Sequence, residues 1–174
     1  MYHFIKDELE RIANKYNGKF EWTEESHYGL RMSKIPHNKY KFNIPLEKTE
    51  IVFFVEFAAT GETTAFVSTD YVPSSKYFTF KKANPLVLLI KKKKRSLSAV
   101  TENKEVKKFV EELIDKCGLE EISRNTLFEP RMQFVEEDGK TTIKFLYNMA
   151  FKDKEKSIEH VIQFMDELNK YFTC

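Results

Sequence analysis

The sequence has few of the residues that mark special classes of protein. It contains five glycines, five prolines and two cysteines among 174 residues. So few glycines and prolines exclude collagen-like and linker-like chains, for which disorder is the default. Two cysteines are too few for the disulfide framework of a small secreted protein, so both thiols are expected to be free. These absences predict one compact domain over residues 1–174.

Long apolar runs are missing as well. No window approaches the roughly 20 apolar residues that a helix needs to cross a bilayer. The chain begins MYHFIKDELERI, and acidic residues at Asp7, Glu8 and Glu10 stand where a signal peptide carries its apolar segment. We therefore expect a cytoplasmic protein without a membrane span.

Motifs for metal binding and catalysis are scarce too. The four histidines have neither the H-x-x-x-H spacing nor a C-x-x-C partner that a zinc site needs, and we expect no metal and no cofactor. The stretch ATGETT lacks the Lys-Ser/Thr ending of a phosphate-binding loop and is interpreted as a hairpin turn. His27 and His37 share a polar segment, interpreted as an exposed loop with solvated histidines. An enzyme site near His27 and His37 is the alternative.

Acidic residues are absent from one long stretch, Tyr71 to Thr101. That stretch carries eight basic residues, whereas the rest of the chain carries 21 basic against 27 acidic residues. The basic residues are Lys76, Lys81, Lys82, Lys91, Lys92, Lys93, Lys94 and Arg95. The whole chain has a net charge of +2, so its charge is segregated rather than large. Such segregation is an argument about association, not about fold.

The basic run allows two interpretations. Clustered cations release counterions from a nucleic acid, which predicts an anion- or partner-binding site at Lys81, Lys82 and Lys91 to Arg95. Sequence-specific recognition favours arginine, yet the chain has 24 lysines and only 5 arginines. Alternatively, the Asn-Pro pair before the run starts a short helix over about 85–92, whose C-terminal dipole accommodates the cations. A strand over the same residues is the competing prediction.

Apolar residues at helical spacing predict three amphipathic helices. The first ends at the Asn17–Gly18 pair, the second runs from Thr101 or Asn103 to Gly118, and the third covers about 154–171. The apolar faces of the three helices are Ile5, Leu9, Ile12, Ala13 and Tyr16; Val106, Phe109, Val110, Leu113, Ile114 and Cys117; and Ile158, Val161, Ile162, Met165, Leu168 and Phe172.

Alternation of apolar and polar residues predicts the strands. KYKFNIP places Tyr40, Phe42 and Ile44 on one side, and KFEW and SLSAV are shorter candidates. KYFTF is expected to continue the same sheet. Two hairpins are expected, in IVFFVEFAATGETTAFVS and in RMQFVEEDGKTTIKFLYNMAF, the second with a type I′ turn at Asp138 and Gly139. The element order predicts an α+β domain with a mainly antiparallel sheet and the three helices packed on one face.

The absence of a reactive constellation, beside a segregated charge, leads to the functional prediction. We expect a non-catalytic cytoplasmic binding or adaptor protein that acts through a protein partner. An inhibitor or immunity-type role would fit that description. Binding of a polyanion or nucleic acid through the basic segment 76–95 is the alternative, and it predicts a strong dependence of affinity on salt.

Overall fold

The computed structural model describes residues 2–28, 34–57, 61–83, 95–125, 128–148 and 154–173. These residues form one α+β unit of helices packed on antiparallel sheet. The helices are α1 (Tyr2–Lys15), α2 (Lys104–Lys116), α3 (Leu119–Asn125) and α4 (Lys154–Thr173). The strands are β1 (Phe20–Tyr28), β2 (Lys34–Pro45), β3 (Glu50–Phe57), β4 (Gly61–Asp70), β5 (Thr79–Lys82), β6 (Leu97–Val100), β7 (Arg131–Glu137) and β8 (Lys140–Asn148).

Six of the strands form one antiparallel sheet in the order β1-β2-β3-β4-β8-β7. The first four follow one another along the chain, and β8 of the C-terminal hairpin then pairs with β4. Strands β5 and β6 form a separate two-stranded sheet. The two hairpins are confirmed, and Asp138 and Gly139 have the positive φ values, 51° and 73°, that a type I′ turn requires.

One face of the six-stranded sheet carries the core. The register aligns buried side chains across it, as in the row that runs from Phe42 through Phe53 and Ala65 to Phe145. Helices α1 and α4 lie on this face, and all three predicted helices contribute buried residues to the same core. Burying one such phenylalanine contributes about 1.5–3 kcal/mol relative to leaving it exposed.

Helix α1 ends where the sequence predicts. Asn17 takes a positive φ of 56°, and the amide of Gly18 donates to the carbonyl of Ala13 at 2.8 Å. A Cβ on Gly18 would stand 1.8 Å from the carbonyl oxygen of Asn43 on β2. Glycine is therefore required here because two backbone segments touch.

Helix α2 begins at the predicted cap. The side-chain oxygen of Asn103 accepts hydrogen bonds from the amides of Glu105 and Val106, at 3.0 and 3.1 Å. Asn and similar residues favour this position because they satisfy amides that the helix leaves unpaired. Gly118 follows the helix with a φ of 71°, which confirms the predicted C-terminal stop.

Helix α3 is absent from the sequence prediction and has a clear structural role. The two carboxylate oxygens of Glu120 accept the amides of Ser96 and Leu97, at 2.7 and 2.9 Å. This contact fixes the start of β6 against α3. The carboxylate also pairs with Arg124 one turn later, at 3.1 Å.

The predictions for KYFTF, for residues 85–92 and for SLSAV have three different outcomes. KYFTF was expected to continue the main sheet, which is wrong: Thr79 and Phe80 belong to β5, which pairs with β6 instead. Phe80 still reaches the main core, with its ring 5.6 Å from that of Phe145. The predicted short helix over 85–92 lies outside the described residues. SLSAV does contain the predicted strand, β6.

Candidate functional site

The face of the six-stranded sheet opposite α1 and α4, here called the open face, carries an unusual set of side chains. Alternation places every second residue of each strand there. Two rows cross its centre in register: Lys41, Phe54, Thr64, Leu146 and Arg131; and Asn43, Val52, Phe66, Lys144 and Gln133. Helices α1 and α4 contact the sheet from the other side, so within the described ranges the open face has no packed layer over it.

Four neighbouring side chains of the open face, Val52, Phe54, Phe66 and Leu146, form what we call the apolar cluster. The rings of Phe54 and Phe66 stack at 5.5 Å with an interplanar angle of 15°. Phe54 remains 41% exposed, whereas Phe53, its neighbour on the inner face, is 0% exposed. A solvated face of an antiparallel sheet is normally polar. Phe54 and Phe66 depart from that rule in adjacent strands.

Charged side chains surround the apolar cluster. Lys41 contacts Glu21 at 3.7 Å and lies with its ammonium nitrogen 5.9 Å from the ring centre of Phe54. Glu56, at one end of β3, lies 3.8 Å from the imidazole of His37. The side chains of Lys41 and Glu56 remain 46% and 57% exposed. These charges therefore remain accessible to a second molecule.

The histidines of the predicted loop lie on strands instead. Residues 24–28 and 34–38 belong to β1 and β2, so the loop prediction is wrong for them, and residues 29–33 lie outside the described ranges. The register sets His37 opposite Glu25 and His27 opposite Ile35. The side chain of His37 is only 17% exposed, so it is not a solvated histidine. Strand β1 lies at the edge of the sheet, where polar and charged residues are common, so a polar composition did not distinguish a strand from a loop here.

The predicted basic site is only partly described. Lys81 is exposed on β5, and burial lowers the pKa of the neighbouring Lys82. Arg95 donates to the carbonyl of Glu111 at 3.0 Å and pairs with Asp115, near the C-terminal end of α2. The contacts of Arg95 in the structure are thus with a backbone carbonyl and a carboxylate of α2. Lys91, Lys92, Lys93 and Lys94 lie outside the described residues, so this site stays a prediction.

A cleft of about 650 Å³ opens between the end of α1, the β2–β3 turn and α4. Its polar lining includes His160, Gln163, Asp166 and Lys170. Asp166 and Lys170 pair with each other at 2.7 Å. The imidazole of His160 lies against Gly118. A Cβ atom added to Gly118 would stand 2.6 Å from the Cε1 atom of His160. Asp166 and Lys170 thus satisfy each other, whereas the buried Nε2 atom of His160 has no hydrogen-bond partner within the described ranges.

The side chain of Cys117 is buried in the core. Burial raises the pKa of Cys117 to about 11, so the thiol is protonated and unreactive at neutral pH. Among the described residues, no group of three histidine, cysteine, aspartate or glutamate side chains is placed to hold a metal ion. In the same ranges, no helix is long and apolar enough to cross a membrane.

Sequence reasoning missed the apolar cluster, although one signal for it exists. The run IVFFV in β3 is apolar on both faces of the strand, whereas a strand with one solvated face alternates between apolar and polar residues. No protein-family model, curated protein or solved structure matches this chain. The geometry of the open face and of the cleft therefore carries the functional argument alone.

Proposed function

We propose that the protein is a non-catalytic cytoplasmic binding protein that acts through a protein partner at the open face. The observation that carries this proposal is the stacked pair Phe54 and Phe66, which lies on the solvent side of the sheet. An inhibitor or immunity-type role is one form that such binding takes.

The composition of the open face supports binding to a protein. Protein interfaces combine an apolar, often aromatic, centre with a polar rim that supplies specificity. Here the apolar cluster is the centre, and Lys41, Arg131, Glu50 and Glu56 surround it. A contiguous apolar patch rimmed by charge is a common mark of an interaction site.

The cleft supports a non-catalytic role. A general base must reach the proton that it removes, and a nucleophile needs such a base beside it. Asp166 is held by Lys170, and Glu159 by Lys15 of α1. The carboxylates near His160 thus join α4 to itself and to α1, which is a structural use of these groups.

A comparison of three baits tests the proposal. Wild-type protein, Phe54→Asp and Lys107→Glu are immobilised and exposed to native extract of the source cells. Lys107 is an exposed residue of α2, away from the open face, and serves as the matched charge control. We expect a stoichiometric protein to bind wild type and Lys107→Glu but not Phe54→Asp.

Site-specific crosslinking traps the partner covalently, so a weak complex is not lost when the immobilised protein is washed. A photoreactive residue at position 54 is expected to crosslink to the captured protein, and one at position 107 is not. A stoichiometric partner that binds Phe54→Asp as well as wild type, and crosslinks only from position 107, would contradict the proposed surface.

A further inference from the structure

Strand β1 forms one edge of the six-stranded sheet, and within the described ranges no strand lies on its outer side. The amide of Asn43 on β2 donates to the carbonyl of Lys19, directly before β1, at 3.0 Å. Hydrogen-bonded pairs occur at every second residue of an antiparallel ladder, so Glu21, Thr23 and Glu25 also direct their backbone groups toward β2. The amides and carbonyls of the residues between them point away from the sheet.

The outer side of β1 is therefore a row of free donors and acceptors. It is formed by Phe20, Trp22 and Glu24, and no other backbone group in the described part of the chain bonds to them. Proteins commonly protect an exposed edge with bulges, prolines, charged side chains or a covering segment. The register of β1 with β2 skips no residue, and β1 contains no proline. Among the described residues, only charges protect this edge.

The opposite edge of the sheet, β7, is covered in part. The ring of Tyr77 stacks on that of Phe134 at 4.4 Å, and the hydroxyl of Tyr77 donates to the carboxylate of Glu136. Strand β5, which follows Tyr77, contacts β7 as well. The two edges of the sheet thus differ, and β1 is the one with room for a further strand.

The charges of β1 have one sign over residues 20–25, where three residues are glutamate and none is basic. Glu21 and Glu25 pair with Lys41 and Lys39 of β2, at 3.7 and 2.9 Å. A strand on the outer side lies about 4.8 Å from β1 and about twice as far from β2, so it meets the glutamates before the lysines. Basic residues opposite Glu21 and Glu25 would extend the alternation of charge to a third strand.

Trp22 supplies an apolar contact on the other side of β1. Its side chain is 38% exposed, and the ammonium nitrogen of Lys6 in α1 lies 4.5 Å from its ring centre. Tyr40 lies opposite Trp22 on β2, where residues 39–42 read KYKF and alternate lysine with aromatic residues. A strand on the outer side meets the same side chains of β1 at the same spacing. Strand β2 is therefore a guide to the composition that such a strand needs.

We infer that the outer side of β1 binds an extended segment of a partner protein, in which basic residues alternate with aromatic or other apolar residues. Main-chain hydrogen bonds supply affinity in this mode of recognition, and alternate side chains supply specificity. A second copy of β1 does not fit, because full-length antiparallel pairing sets Glu24 opposite Glu24 of the second copy. The inference goes beyond the proposed function, since β1 lies two strands away from Phe54.

Hydrogen exchange with a synthetic peptide tests the inference. The probe is a nine-residue peptide in which lysine alternates with tyrosine and phenylalanine. In the free protein we expect the amides of Phe20, Trp22 and Glu24 to exchange quickly and those of Glu21 and Thr23 slowly, because only the latter bond to β2. The bound peptide should slow the first three at least about tenfold. A matched peptide with glutamate in place of lysine should bind at least about tenfold more weakly.

Two substitutions at position 24 separate the backbone from the side chain. Glu24→Pro removes an outward amide that makes no ladder bond, a position at which an edge strand tolerates proline. We expect it to weaken peptide binding at least about tenfold. Glu24→Thr keeps the amide and loses only the charge, so its loss should be below about fivefold. Lys107→Glu should bind as wild type does, and urea unfolding checks that each variant is folded.

Three results would overturn the inference. The first is no binding of the lysine peptide to wild type up to about 1 mM. The second is binding that Phe54→Asp abolishes and Glu24→Pro does not, without slower exchange at Trp22, which would place the peptide on the open face and leave the proposed function standing. The third is a wild-type dimer that Glu24→Pro dissociates, which would make a second copy the occupant of the edge.

Discussion

Replacing Gly118 by alanine adds one methyl group at a position where two separate effects oppose it. Its φ of 71° is a left-handed conformation, which costs a residue with a side chain about 1–2 kcal/mol. The new Cβ would also stand 2.6 Å from Cε1 and 2.8 Å from Nδ1 of His160. Overpacking of this kind costs about 1–3 kcal/mol. We therefore expect Gly118→Ala to lower the free energy of unfolding by about 2–5 kcal/mol.

Gly139 provides the matched control for the backbone effect. Its φ is 73°, and a Cβ added there meets nothing within 4 Å. Gly139→Ala should therefore show the conformational cost alone, about 1–2 kcal/mol. The difference between the two alanine variants isolates the contact with His160, and we expect it to be about 1–3 kcal/mol.

A double-mutant cycle identifies the partner of that contact. His160→Ala removes the imidazole, so the Gly118→Ala, His160→Ala double variant should regain the contact part of the loss but not the backbone part. Urea unfolding at one fixed low protein concentration gives the four free energies, provided that the slopes agree. Equal losses for Gly118→Ala and Gly139→Ala, or no coupling between positions 118 and 160, would refute this reasoning.

Four other predictions follow from contacts in the structure and from the basic run. Gly18→Ala should destabilise more than Gly139→Ala in the same urea assay, because the clash at 1.8 Å is with backbone that cannot turn away. Glu120→Ala should lower the free energy of unfolding by about 1–3 kcal/mol, because it leaves the amides of Ser96 and Leu97 unpaired. Glu120→Gln should retain part of that stability. In a Cys174→Ser background, Cys117 should react with a thiol reagent far more slowly at pH 8 in folded than in unfolded protein, because burial raises its pKa to about 11. Neutralising Lys91 to Arg95 to glutamine should flatten the salt dependence of any nucleic-acid binding, and an unchanged slope would dismiss the polyanion alternative.

Local signals explain which elements the sequence predicts well. Helix α2 has a cap at Asn103, a stop at Gly118 and an unbroken apolar face between them, so each signal supports the others. Helix α3 has seven residues and begins directly after Gly118, which leaves no room for a periodic pattern or a separate cap. Strand β5 alternates as predicted, but alternation does not specify which strand it pairs with.

The candidate site depends on information of another kind. The basic window from Tyr71 to Thr101 is visible in the linear sequence because its members are neighbours along the chain. The apolar cluster, with Lys41 and Arg131 in the same row, appears only once the register of five strands is known. Register follows from which face each strand buries, and that is a property of the packed sheet. A site built across strands is therefore invisible to motif analysis.

Strand β3 shows how the fold and the proposed function meet in one segment. A strand that is buried on both faces has a continuous apolar run, and IVFFV has that pattern. In the structure its inward residues, such as Phe53, lie in the core beneath α4, while outward Phe54 is 41% exposed. The sequence of β3 thus suits two covered faces, and the described part of the chain covers one. A protein partner bound to the open face, as proposed above, would cover outward side chains of β3 such as Phe54.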